Sequence, residues 1–389
     1  MLMLSDLRGI LKNRAVIVKL ILSVLCLSLT LIFLTPLSEL TAKTGIFLLS
    51  PFYDNKSNLS NLSAEAQTNP QANEATEATE ATEAAEEPTS EEGTEEQTSD
   101  SAYTTPSDVA ALEEEYLSEY AACTAYGTTS EVFFKTSGST DNIDGIYIKN
   151  ATAEKKPDFA ALLKEGPELK PADKSAPLVL IFHTHTTESY LLSDNGIFYE
   201  EYQTRSTDNS RNMVRVGDEI CRVLEENGIG YIHDTNIYDE SYDGAYARSR
   251  VNVEKYLEQY PSIQIVLDVH RDAIHYSDTS YCKPTAEING RKAAQIMIIT
   301  GAQEGYITDF PYWEDNLRFA LCLQKTAEDM YPGLMKPVYF CQRKYNMDTS
   351  RCSLLLEIGT DANTLDEAMY TGYLTGKVLS QIIKTYCGE

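Results

Sequence analysis

Basic residues are missing from a long stretch of this chain, with none between Lys56 and Lys135. No lysine and arginine cluster follows either, and the formal charge of the 389 residues is −27. A nucleic-acid partner wants a basic face, so that class of function is set aside. Cysteine occurs eight times without one CxxC pair, which removes the usual spacing of a cysteine-held metal or dithiol centre. The scattered thiols leave two readings open, pairing in an exported protein or burial as free thiols. Histidine is scarce, at five in the whole chain.

The amino-terminal segment 1–14 carries Arg8, Lys12 and Arg14, and residues 15–34 are apolar or small-hydroxyl except for Lys19. A run of that length crosses a bilayer. Its basic flank places Met1 in the cytoplasm and the remainder outside. With no small-x-small cleavage site before Lys43, a retained anchor over 15–35 is expected rather than a cleaved signal peptide. Residues 36–110 form an acidic linker centred on the repeats EATEATEATE at 74–83. Such a tract buries too little apolar surface to offset its ordering entropy and should be disordered. As a flexible coil it would span about 50 Å, a tether holding a folded part off the membrane.

A small lead-in region is expected over 111–176, with helical spacing at 112–122 and short strands at 132–134 and 145–149. The catalytic domain is expected over 177–389. There, aliphatic runs at 178–182, 263–270 and 353–359 read as strands buried on both faces, and 229–233 and 293–300 as further strands. Helical patterns at 210–227, 245–260, 314–330 and 365–386 alternate with them. The expected fold is α/β, a mixed, mostly parallel sheet flanked by helices.

Two of those strands end in histidine: LVLIFHTHTTE at 178–188 and IQIVLDVHRD at 263–272. Ligands of parallel α/β sheets gather beyond the carboxyl ends of the strands. Three of the five histidines, His183, His185 and His270, fall there, with Glu188 three residues past His185. If the chain turns after the strand, His185 and Glu188 share one side. Together with His270 they make a His-Glu-His set, the donor types of a catalytic zinc that keeps a fourth position for water. Glu357 interrupts the aliphatic run LLLEIGT at 354–360. A carboxylate is rarely buried without a partner or a purpose, so Glu357 is the candidate general base, with an ion pair to Arg271 as the plainer reading. His183 would ligate, orient Glu357 or bond a loop carbonyl, the supporting roles being favoured. Arg271 and Asp272 would bind a substrate carboxylate or orient His270, unless they form a surface salt bridge. His233 has two readings, approach to the same crevice or a loop cap.

These segments, with VRVGD at 214–218 and YPGL at 331–334, resemble the stage II sporulation protein P family of cell-wall hydrolases. The resemblance covers about 178–381, and the anchor and variable linker are similar to the family's plan. It implies a fold similar to zinc amidases and an N-acetylmuramoyl-L-alanine amidase activity on peptidoglycan, with endopeptidase activity on crosslinks. It further implies zinc held by His185, Glu188 and His270, Glu357 as catalytic carboxylate, and work at the septal membrane during engulfment with the sporulation proteins D and M. One departure is Met347 in YNMD at 345–348, where the family's pattern leads one to expect glutamine. The competing readings are another exported zinc peptidase, such as a stem-peptide carboxypeptidase, and a peptidoglycan-binding protein that holds metal without turnover.

Overall fold

The computed structural model describes residues 103–388 apart from 122 and 174. The basic segment, the expected anchor at 15–35 and most of the linker lie outside the described residues. Among the described residues no helix is long and apolar enough to cross a membrane. In chain order the elements are α1 (Ser107–Tyr120), β1 (Ala125–Val132), β2 (Asp141–Ile143), β3 (Ile146–Ala151), α2 (Phe159–Glu165), β4 (Val179–Phe182), β5 (Ile197–Tyr199), α3 (Met213–Glu226), β6 (Tyr231–His233), α4 (Ala245–Gln259), β7 (Ile265–Asp272), β8 (His275–Ser277), β9 (Ser280–Ile288), β10 (Arg291–Ala294), β11 (Ile296–Gly301), α5 (Trp313–Met330), β12 (Val338–Cys341), β13 (Ser353–Thr360) and α6 (Leu365–Tyr386).

The runs at 178–182, 263–270 and 353–359 become interior strands of an eight-stranded sheet in the order β2-β3-β12-β11-β13-β7-β4-β6, and the run at 229–233 becomes its half-buried edge strand β6. Only β2/β3 and β11/β13 pair antiparallel; the other neighbours are parallel. The fold is therefore mixed α/β with a mostly parallel sheet, as the run lengths suggest. β2 and β3 carry that sheet across the boundary expected at residue 177.

A second sheet, β10-β9-β1-β5 with β8 against β9, was not expected from the pattern. Its β9–β10 hairpin turns at Asn289 (φ 51°) and Gly290 (φ 77°), an Asn-Gly pair suited to the left-handed positions of a tight hairpin. The strand expected over 293–300 is split by this sheet. Ala294 ends β10, Ile296 opens β11, and buried Gln295 spends its amide on the backbone of Phe134 and Gly333.

Strand alternation sorts the main sheet into two faces. Val179, Ile181, Ile265, Leu267, Val269, Leu354, Leu356 and Ile358 join the large core with α3, α5 and α6. Leu180, Phe182 and Val266 face the other way, against Val253, Tyr256 and Leu257 of α4. By the same alternation Asp268 and His270 on β7 lie on the α4 side, as do Leu355 and Glu357 on β13. Helix ends are secured locally. Asn212 caps α3 by accepting from Val214 N, and Thr364 with Glu367 closes a reciprocal capping box on α6.

Candidate metal centre

β4 ends at Phe182, and the next residues turn at once. Glu188 N donates to His185 O at 3.1 Å, which brings these two side chains together as their spacing suggested. Asp239 pins the turn by accepting from Thr187 N at 3.0 Å and Thr187 Oγ1 at 2.7 Å. Thr186 Oγ1 donates to His183 O at 2.7 Å. His185 Nδ1 then lies 3.3 Å from Glu188 Oε1, and His270 Nδ1 lies 3.6 Å from Glu188 Oε2. Ligand atoms of His185, Glu188 and His270 all fall within 4.8 Å of one another, and all three residues are buried. Two imidazoles and one carboxylate, converging without other metal-binding groups in the set, fit a tetrahedral zinc with one open position.

Glu188 also accepts from Arg271 N at 3.1 Å and meets Arg205 Nη2 at 3.4 Å. Burial alone would raise the Glu188 carboxyl's pKa, but hydrogen bonds from His185 and His270 hold it well below the usual value. Burial would likewise lower His270, yet the charges of Asp268 and Glu188 hold it well above the ordinary imidazole range. Without a metal, the pocket thus favours a proton on His270 beside an ionised Glu188.

Glu357 faces this set from the adjacent strand, in direct register with His270. It is buried, and its Oε2 has no hydrogen-bond partner. Burial first, and the negative charge of Asp272 second, push its pKa up from 4.5 to about 8. The ion pair with Arg271 does not form. Arg271 instead donates from Nε to Ser189 O, from Nη1 to Asp272 O and from Nη2 to Thr204 O. Its guanidinium is buried and spends three of its five donors bracing the loop behind Glu188. Asp272 pairs with Lys336 at 3.2 Å.

His183 goes to the other side of the sheet. Its position continues the parity of Val179 and Ile181, so the ring meets α3 rather than His270. Nδ1 bonds Val269 O at 2.9 Å, and Nε2 stands 3.0 Å from His233 Nε2. His233 in turn contacts Asp218 Oδ1 through Nδ1 at 3.2 Å. Burial first and His233 second drive the His183 pKa well below its ordinary value. His183 therefore neither joins the ligand set nor orients Glu357, and His233 is kept away from the crevice by the same pairing.

Several site residues had no sequence reading. Tyr242 stacks on His185 at 4.7 Å, with the Arg205 guanidinium 5.3 Å from the Tyr242 ring. Tyr246 packs beside both His185 and His270 (5.5 and 6.3 Å) and stacks on Tyr345 at 5.1 Å. Asp268 stands behind His270, its Oδ1 2.7 Å from Nε2. The cue for Asp268 was available: like Glu357, it breaks an aliphatic run. The tyrosines and Arg205 come from loops and α4, where nothing in the local pattern marks them.

Among solved structures, the apo form of an N-acetylmuramyl-L-alanine amidase from Mycobacterium abscessus is similar at 13% identity, covering 54% of this chain and 99% of that one with a TM-score of 0.30. The CwlD amidase from Clostridioides difficile, solved in complex with the GerS lipoprotein, is similar at 11% identity, covering 52% and 99% with a TM-score of 0.31. The curated stage II sporulation protein P of Bacillus subtilis (strain 168) is 30% identical over 231 residues, 56% of this chain and 54% of that relative, so the chain spans about half the length of the curated relative it matches. The model of the stage II sporulation protein P family matches residues 38–384. With the match running over nearly the whole sequence, the chain belongs to the stage II sporulation protein P family.

Proposed function

We propose that this chain is a zinc-dependent peptidoglycan hydrolase, an N-acetylmuramoyl-L-alanine amidase with added endopeptidase activity on crosslinks. The observation that carries the reading is the buried convergence of His185, Glu188 and His270 beside an unpartnered Glu357. Family membership supports the sporulation setting. The expected anchor at 15–35 would hold the domain outside the cytoplasmic membrane, facing the septal wall during engulfment, in company with the sporulation proteins D and M.

His185, Glu188 and His270 would hold the zinc, which when bound supplies a polarised water and a Lewis acid for the scissile carbonyl. Glu357 takes the proton from the attacking water and passes it to the leaving amine. A carboxyl whose pKa lies near neutrality does both. Arg271 keeps Glu188 aimed by holding the loop carbonyls behind it, and Tyr242 walls the half-exposed mouth over His185.

The test is digestion of purified cell wall by the full chain, with products identified by mass spectrometry. Intact stem peptides freed from glycan are expected. Release of single terminal amino acids would favour a carboxypeptidase instead, and no release despite bound metal would favour a binding protein. Glu357→Ala should abolish peptide release; unchanged release would sink the assignment.

A further inference from the structure

Behind His270 runs a row of buried polar groups that the reaction above does not use. Asp268 accepts from Thr184 N at 2.8 Å on Oδ1 and from Thr184 Oγ1 at 2.7 Å on Oδ2. Thr184 Oγ1 is 2.8 Å from Ser249 Oγ on α4. Asn346 Nδ2 lies 3.1 Å from Ser249 Oγ and 2.9 Å from Tyr246 O. Asp268, Thr184, Ser249 and Asn346 are all buried.

Counting protons gives this row one direction. A carboxylate only accepts, so the single hydroxyl proton of Thr184 is committed to Asp268. Thr184 must then accept from Ser249, whose proton has a second acceptor in Tyr246 O at 3.2 Å but goes to the nearer one, Thr184 Oγ1 at 2.8 Å. Ser249 can only accept from Asn346, whose amide has a second proton for Tyr246 O. At the far end Asp268 Oδ1 stands 2.7 Å from His270 Nε2, which makes no hydrogen bond in this geometry; a carboxylate at that distance attracts the ring only if Nε2 carries the hydrogen. Nδ1, 3.6 Å from Glu188 Oε2, is then the ring nitrogen that gives up its proton to a metal.

The row starts from a strained place. Tyr345 (φ 41°) and Asn346 (φ 61°) are consecutive left-handed residues. Asparagine tolerates that region, but a tyrosine there costs about 1 kcal/mol or more and needs a reason from its surroundings. The reason visible here is that the bend lays Tyr345 on Tyr246 while aiming the Asn346 amide at Ser249.

We propose that Asn346, Ser249, Thr184 and Asp268 form a one-way hydrogen-bond chain that fixes His270 as the Nε2–H tautomer and so presents Nδ1 as its metal-ligating atom. The four are positioning residues, and the inference rests on the metal-centre reading above. The loop bearing YNMD thereby acts on the metal through α4. Outer partners of metal-bound histidines commonly contribute about 10- to 100-fold in metal affinity.

The experiment uses the full chain with isotope-labelled histidine, loaded with an NMR-active cadmium isotope in place of zinc. Coupling from the metal to His270 Nδ1 and a retained proton on Nε2 are expected. In parallel, zinc affinity is read by competition with a chromogenic chelator. Thr184→Val should weaken it by about 10- to 100-fold, Ser249→Ala and Asn346→Ala should weaken it less, and Thr184→Ser should restore it. Metal coupling through Nε2 of His270 would overturn the chain, even if Thr184→Val fails to fold. Wild-type affinity in a folded Thr184→Val would do the same. In either case the metal centre would stand, whereas a wild-type chain that takes up neither zinc nor cadmium would overturn both readings.

Discussion

Replacing Glu357 with glutamine should make the metal-free protein more stable and the enzyme inactive. The carboxyl is buried on β13 with Oε2 unpartnered, and burial together with Asp272 raises its pKa from 4.5 to about 8. A carboxyl whose folded pKa is raised keeps a proton that the unfolded chain gives up, so native stability falls as pH rises through the window between these two values. At pH 7 the window has been crossed by 7 − 4.5 = 2.5 units; at about 1.4 kcal/mol per unit this is roughly 3 kcal/mol, and the full 3.5 units give a ceiling near 5 kcal/mol above pH 8. Glutamine has the same shape and nothing to ionise. The chelated Glu357→Gln chain should therefore match wild type near pH 4.5 and gain with rising pH, by roughly 6–12 °C in melting temperature at pH 7. Peptide release should fall by about 10²- to 10⁴-fold, the usual weight of a general acid–base group. Thermal unfolding of both chains across this pH range, beside the cell-wall digestion, measures the two effects. A stability difference that does not change with pH would refute the raised carboxyl and the neutral-pH proton shuttle built on it.

Gly217 on α3 has no room for a side chain: an added Cβ would stand 2.5 Å from His233 Nε2 and 2.7 Å from His183 Nε2. Those rings are anchored by Asp218 and Val269 O, so Gly217→Ala should cost about 1–3 kcal/mol in thermal stability. Zinc affinity should survive in that variant, because His183 faces α3; a selective loss of zinc would contradict the placement. Zinc binding to the wild-type chain should weaken as pH falls, since a metal at Nδ1 must displace the proton that Asp268 and Glu188 hold on His270. Chelator competition at several pH values checks this, and a flat profile would refute the protonated His270 of the metal-free pocket. Tyr242→Ala should raise KM more than it lowers kcat, because the ring stacks over His185 and its phenol, with a pKa raised by burial, keeps its proton; an equal fall in kcat would give it a part in the chemistry.

What was legible in the chain was set by burial on two faces. Strands β4, β7 and β13 are interior strands of the sheet, so nearly every position is apolar, and the polar exceptions Asp268, His270 and Glu357 stand out. The second sheet was not legible, because β5, β8 and β10 are short, and the longer β1 and β9 are mixed in polarity and carry Gly127 and Pro284. Its one clear cue was the Asn289-Gly290 turn. His183 shows a different limit. Alternation along β4 places it with Val179 and Ile181, but sequence alone does not say which face of the sheet the site occupies.

That face can be argued once the sheet is seen. The side of β7 and β13 that meets α3, α5 and α6 is closed by aliphatic residues, and a charge there would have no partner. The side under α4 and the loops carries Asp268, His270 and Glu357 in neighbouring register. A polar residue survives inside an aliphatic strand only where its partners reach it, and here they come from far along the chain: Thr184, Ser249, Glu188, Lys336. Two strands whose polar interruptions fall in register on one face thus mark a single site, and of the five histidines it is His270, not the more conspicuous His183, whose parity puts it there.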